Sequence, residues 1–149
     1  MKFLIFLVLA VQIALISTEY VSEAQKAARA FYPAYYKLLA AKLPEYLDAS
    51  FRGIYSNGTT YGRREVYEEI KSRDEGTYKE ALWYYNKVIS MTDQDFYHDV
   101  KAEFMKNGML RVSVFSNGKH SSVYIGKRDT SIECGYKLYR LQENFDVFC

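Results

Sequence analysis

The chain has 149 residues, room for one domain with one sizeable core. Its 20 Lys and Arg against 18 Asp and Glu leave a formal charge of +2, which excludes a basic nucleic-acid-binding surface or a strongly acidic partner as the basis of function. With 15 Tyr, 9 Phe and one Trp, the aromatic excess suits half-buried strands and wet cavities, because tyrosine joins an apolar body to a polar tip.

Met1-Lys2 is a short positive start, Phe3 to Ile16 is apolar apart from Gln12, and small or polar residues follow at Ser17, Thr18 and Ser22-Glu23-Ala24. This pattern predicts a secretory signal peptide over residues 1–17, with cleavage as late as residue 24. The apolar run is shorter than the about 20 residues of a membrane-spanning helix. The expected product is extracellular and carries no membrane segment once the signal is removed. Residues 22–149 read as one domain, since no Gly-, Pro- or Ser-rich boundary and no repeat divides them.

From Ser22 to Ala41, the apolar residues Ala24, Ala27, Ala28, Phe31, Tyr35, Leu38 and Leu39 recur at helical spacing, with Ser22 as a cap. Pro33 must either kink this helix or open a second one. Leu43 to Leu47 predicts a short helical turn, and Ser50 to Tyr55 a short strand. Asn57-Gly58 supplies a turn. Gly62 precedes a helix from Arg63 to about Arg73, whose apolar stripe is Val66, Tyr67 and Ile70. Asp74-Glu75-Gly76 is its expected end.

From Ala81 the pattern suggests strands. Leu82 to Met91 is rich in β-formers on both faces. Phe96, His98, Val100, Ala102 and Phe104 then alternate with outward residues, as the core face of a second strand. For Asn107-Gly108, a two-residue hairpin would mix faces. A three-residue loop, Lys106-Asn107-Gly108, with Gly108 left-handed in a bulge, pairs Phe104 with Leu110, Ala102 with Val112 and Val100 with Val114. At Asn117-Gly118 a two-residue turn pairs Val112 with Val123 and Leu110 with Ile125. A last strand runs from about Ile132 to Leu141.

Cys134 and Cys149 are the two cysteines. In an oxidising compartment they could close one bridge, provided the chain turns back near Gln142-Glu143-Asn144; free thiols or an intermolecular bridge are the alternatives. Asn57-Gly58-Thr59 is a glycosylation sequon in a turn, so Asn57 is a candidate glycosylation site.

Several stretches resemble the nuclear transport factor 2-like superfamily, whose fold is an α+β cone. They are Phe31-Tyr32-x-x-Tyr35-Tyr36 in a first helix, Leu47-Asp48 before a strand, Tyr61-Gly62-Arg63-x-x-Val66 opening a helix, and a closing Gly135-Tyr136-Lys137-Leu138-Tyr139-Arg140. The tyrosine-rich, secreted character with a C-terminal cysteine is similar to uncharacterised nematode members. The resemblance implies N-terminal helices packed on a curved antiparallel sheet of long strands, a conical cavity between them, and in many members a dimer through the outer sheet face. The superfamily includes ketosteroid isomerase, scytalone dehydratase, polyketide cyclases and non-catalytic members, so fold alone does not select a function.

The strand alternation turns His98 inward, where a histidine could act as a general base. Asp48 and Tyr61 are the candidates to orient it or polarise a carbonyl. The cavity-lining set on this reading is Phe96, His98, Val100, Val112, Val114 and Val123. The bland alternative for His98 is a satisfied core histidine near a sheet edge, beside Asp95 and Asp99. Two distant histidines and two distal cysteines do not make a metal site, and no phosphate loop or nucleophile elbow occurs, so no metal or cofactor is expected. The favoured function is a secreted, non-enzymatic cone domain binding a small apolar ligand or a protein partner. The alternatives are a cofactor-free isomerase, dehydratase or cyclase using His98, and a dimeric interaction module whose outer face carries Tyr97, Arg111, Phe115 and Tyr124.

Overall fold

A computed structural model describes residues 21–41, 44–72 and 74–143. Its first helix, α1 (Glu23–Ala41), begins with a reciprocal cap. Ser22 Oγ accepts from Gln25 N at 3.1 Å, and Gln25 Oε1 accepts from Ser22 N at 2.9 Å. The helix runs unbroken through Pro33. A 3-10 turn (Pro44–Tyr46) leads into β1 (Leu47–Ile54). A hairpin returns β2 (Thr60–Gly62) antiparallel to β1, and α2 (Arg63–Ser72) follows at once. Gly62 N donates to Glu65 Oε2 at 2.9 Å, closing the helix start.

Residues 82–91, expected as a strand, are instead the end of α3 (Glu75–Ser90) and its C-cap, Met91. Asp74, read above as a terminator, is the N-cap. Its Oδ1 accepts from Thr77 N at 2.8 Å and from the Thr77 hydroxyl at 2.9 Å. Ala81 and Val88 are buried on the face toward α1, and the more exposed Tyr84 stacks on Tyr36 with centroids 5.7 Å apart. The β-forming composition of this stretch is overridden by the cap and by that helical spacing.

The second correction concerns residues 93–99, which form a short helix, α4 (Asp93–Asp99), capped by Thr92. The strand β3 (Val100–Phe104) starts only after it. Phe96 and Val100 are both buried, a relation that fits i,i+4 on a helical turn as well as period two on a strand. The apparent alternation therefore had two explanations, and only one of them put His98 inward.

The remaining strands are β4 (Leu110–Ser116), β5 (Lys119–Arg128) and β6 (Tyr136–Glu143). They complete a curved, unclosed six-stranded sheet in the order β2-β1-β6-β5-β4-β3. The fold class is α+β with the helices packed on this sheet. The sheet is mixed, because β1 runs parallel to β6. The β3–β4 pairing is the one expected from the bulged loop: Phe104 opposite Leu110, Ala102 opposite Val112, Val100 opposite Val114, with Gly108 at φ 83°.

The β4–β5 register differs from expectation by one residue. The turn is tight, with Asn117 at φ 52° and Gly118 at φ 76°, and Phe115 faces His120. Val114, however, faces Ser122, so Ser121 is an extra residue on β5. Past this bulge, Val112 faces Tyr124 and Leu110 faces Gly126. Tyr124, expected on the outer face, is consequently buried against Tyr32 and Tyr35, at centroid distances of 5.4 and 5.3 Å.

The core lies between α1 and the sheet and is built from Ala28, Phe31, Leu38, Leu47, Phe96, Leu110, Val112, Leu138 and Leu141 among others. Arg29 fastens its far end: it donates to the carbonyl oxygens of Val88 and Met91, pairs with Asp93 at 3.5 Å and lies 4.4 Å over the Phe96 ring. Among the described residues no helix is long and apolar enough to cross a membrane. Residues 1–17 and Cys149 lie outside the described residues.

Candidate functional site

His98 does not enter the interior. It sits in the last turn of α4 with 82% of its side chain exposed, and its Nδ1 lies 2.9 Å from Asp99 Oδ1. Asp48 is on β1, where one carboxylate oxygen accepts from Ser50 N at 2.9 Å. Three strands separate β1 from β3, so at the usual strand spacing of about 4.8 Å these two strands stand roughly 19 Å apart along the sheet. The proposed His98, Asp48 and Tyr61 constellation is not assembled.

The lining set is corrected as well. Phe96, Val100, Val112 and Val114 belong to the packed core, and none of them lines the interior cavity described next. Val123 is buried but pairs with Ser113 and Gln142, on the face away from the helices.

The interior space lies at the other end of the sheet, where β1, β2, β6, α1 and α2 meet. It is a cavity of about 110 Å³ lined by Tyr35, Leu38 and Leu39 of α1, Leu47 and Phe51 of β1, Tyr55 and Tyr61 around the hairpin, Val66 and Glu69 of α2, and Leu138, Leu141 and Glu143 of β6. The sequence explains this arrangement. The inward row of β6 ends Leu138, Leu141, Glu143, because Tyr139 is an extra residue where Ile125 and Gly126 pair with Arg140 and Leu138. A carboxylate therefore closes an apolar row.

Tyr61 is placed by Gly53. The two are direct cross-strand partners, and a Cβ at Gly53 would fall inside the Tyr61 ring. With no side chain there, the ring settles over the strand, stacked on Tyr55 at 4.4 Å and edge-on to Phe51 at 5.9 Å.

Burial, and then the nearby Glu69 carboxylate, hold the Glu143 carboxyl above the usual carboxylate range. Burial and the Glu143 charge push the Tyr61 phenol upward, so it stays a neutral hydrogen-bond donor. Tyr124 and Tyr32 are raised for the same first reason, desolvation; Tyr32 and Tyr36 also share a hydroxyl–hydroxyl hydrogen bond of 3.2 Å. Among the described residues Glu143 has no ion-pair partner.

A wider groove of about 280 Å³ runs between α1, α3 and the loop before β6, lined by Arg29, Pro33, Lys37, Tyr85, Ile89 and Cys134 among others. It is open to solvent, and its Lys37 is already paired with Glu133 at 3.6 Å. The smaller interior cavity is the better site, because it is less open to solvent and holds a half-buried carboxyl without an ion-pair partner among the described residues.

No protein-family model matches this chain, and no curated protein matches it. One solved structure, described as a nuclear transport factor 2-like protein with a cystatin-like fold from Novosphingobium aromaticivorans, is similar to it. The identity is 14%, the TM-score is 0.41, and the match covers 91% of this chain and 86% of that one.

No group of three His, Cys, Asp or Glu among the described residues is arranged to hold a metal. Sequence reasoning missed Glu143 and Glu69. The one available signal for Glu143 was an acid at the end of an inward-reading row, and the bulge at Tyr139 hid that row's phase.

Proposed function

We propose that this chain is a small-molecule-binding domain whose site is the cavity lined by Tyr61, Phe51, Leu138, Leu141 and Glu143. One observation supports the reading most: a partly open space lined by Leu, Phe and Tyr side chains that ends on a half-buried carboxyl with no ion-pair partner among the described residues. Burying such a group costs free energy that folding alone does not return, which is the mark of a site kept for a ligand. The volume limits the ligand. Sites for drug-sized molecules run to about 300 Å³ or more, whereas a dry cavity of about 150 Å³ takes benzene. A space of about 110 Å³ therefore suits a compact molecule of one small ring or branched chain, with a polar end toward Glu143.

A proton-transfer activity is the second reading. It draws on the raised Glu143 carboxyl beside the Tyr61 phenol, an acid–base pair of the type enzymes tune by burial. It replaces His98 in that role.

The proposal has the protein exported, through the apolar start at Phe3 to Ile16, and glycosylated at Asn57. Asn57 suits that modification: it is exposed in the β1–β2 turn, where its Oδ1 accepts from Thr59 N at 2.9 Å. A homodimer through the outer sheet face would use Arg111 and Phe115, without Tyr124.

Binding is tested with cyclopentanol, titrated against the purified protein and followed by the ring resonances of Tyr55 and Tyr61. Saturable shifts that disappear in Leu141→Phe, which fills the cavity, are expected. An unchanged spectrum up to about 10 mM, an affinity below any specific site, overturns the reading.

A further inference from the structure

Helix α3 has two apolar sides. Ala81 and Val88 are buried toward α1. A second row, Tyr78, Leu82, Tyr85 and Ile89, has the alternating four- and three-residue spacing of a helix–helix seam, about a quarter turn from the first. Tyr78, Leu82 and Ile89 are 40%, 37% and 48% exposed. Of the seven large hydrophobic side chains exposed among the described residues, five stand on this one helix, Trp83 and Tyr84 being the other two. Such a concentration marks a surface that meets another molecule.

Beside this row lies the groove of about 280 Å³, lined by Ala30, Pro33 and Ala34 of α1, with Tyr85 and Ile89 as its α3 wall. The two helices run antiparallel, since Arg29 reaches Val88 and Met91 while Tyr36 stacks on Tyr84. Arg29 and Ile89 therefore stand at one end of the groove, Lys37 and Tyr85 at the other. Tyr78 and Leu82 continue the row beyond it. One half of the row is thus a ridge, and the other half is the wall of a groove. A two-fold axis across α3 sets the ridge of each copy on the groove of the other, with Tyr78 opposite Ile89 and Leu82 opposite Tyr85, each contact made twice. The paired helices are then antiparallel, so their dipoles oppose favourably. The acidic first turn at Glu75 comes to the groove end that holds Arg29.

We propose that α3 and the groove beside it form the contact between two copies of this chain. The interface stands on the helix layer, away from the outer face of the sheet, and is independent of the cavity reading. Two helices side by side, about 24 Å long and about 10 Å wide each, offer roughly 500 Å² per copy, which suits a reversible dimer rather than a permanent one. A lipid surface fits this helix less well. Its acids, Glu75 and Glu80, balance Lys79 and Lys87, so nothing draws it to anionic headgroups.

The test is sedimentation velocity of the purified protein under reducing conditions from about 1 µM to about 1 mM, where a dimer with a dissociation constant of about 10–100 µM is expected. Leu82→Glu and Ile89→Glu should each weaken it at least about tenfold, whereas Phe115→Glu on the outer sheet face should stay within about twofold. A second readout leaves α3 unaltered. Cys134 lines the groove, so in Cys149→Ser its alkylation by iodoacetamide should slow at least about threefold from the lowest to the highest protein concentration. A monomer throughout overturns the proposal and leaves the cavity reading untouched. So does a dimer that Phe115→Glu disrupts and Leu82→Glu does not, or one in which Cys134 stays equally reactive. A monomer that co-sediments with phosphatidylcholine vesicles, and loses this in Leu82→Glu, would assign the face to lipid and overturn it as well.

Discussion

Tyr61 covers the bare Cα of Gly53, its direct partner across the β1–β2 pair, so a residue without a side chain sets the position of a tyrosine ring in the cavity wall. In Gly53→Ala the new methyl displaces that ring. The expected cost is about 1–3 kcal/mol, as for other overpacked sites. In a Tyr61→Ala background the same methyl has room, and its cost should fall by more than about 1 kcal/mol, as coupled neighbours do. Urea denaturation of the four proteins gives the coupling. Equal costs in the two backgrounds would show that the glycine serves some other purpose.

Arg29 ties α1 to the end of α3 and to Phe96 at once. Arg29→Ala should lose about 2–4 kcal/mol, because carbonyls at the α3 C-terminus lose a charged donor and a cation leaves the Phe96 face. Lysine keeps the charge but lacks the planar fork, so Arg29→Lys should recover less than half of the loss. Full recovery in lysine would mean that charge alone matters here.

Glu143 makes stability depend on pH in a definite direction. Its folded pKa is raised, so the folded state holds this proton more tightly than the unfolded chain. That contribution is complete below the ordinary glutamate value and is lost as pH rises through the folded one. Glu143→Gln should therefore melt higher than the unmodified protein at pH 7, and the gap should close near pH 4. Thermal scans across that window are the check. A gap that widens toward acid would contradict the burial argument.

Ser121 is the extra residue of β5, and the bulge there absorbs it without a partner on β4. Deleting it should keep Tyr124 opposite Val112 and Gly126 opposite Leu110, because the residues after His120 then pair one to one from the turn. The loss should stay within about 1 kcal/mol, since the buried ring keeps its face. Inserting one alanine between Ser122 and Val123 should instead turn Tyr124 to the other face and lose more than about 3 kcal/mol, as a buried ring leaves the core. Far-ultraviolet circular dichroism and denaturation distinguish the two outcomes. A deletion as costly as the insertion would contradict this register.

Local chemistry in the sequence determined a good deal. Ser22 with Gln25 starts α1, Gly62 opens α2, the Gly108 loop fixes the β3–β4 pairs, and helices lying on a sheet follow from that order. Each is settled by bonds or dihedrals within a few residues. Two stretches misled for the opposite reason. Residues 82–91 have strand composition, yet Asp74 caps a helix that gains its stability by packing on α1. His98 fitted an inward strand position equally well as an exposed helical one, and only the Thr92 cap separates them.

The candidate site belongs to tertiary structure alone. Tyr61, Glu69 and Glu143 come from a hairpin, a helix and the last strand. They meet because β1 lies parallel beside β6, a pairing between segments some ninety residues apart. Bulges at Ser121 and Tyr139 then decide which side chains face inward. A period of two carries phase along a strand, but a single inserted residue reverses it. The cost of that insertion is judged only against the neighbouring strand, which the linear chain does not contain.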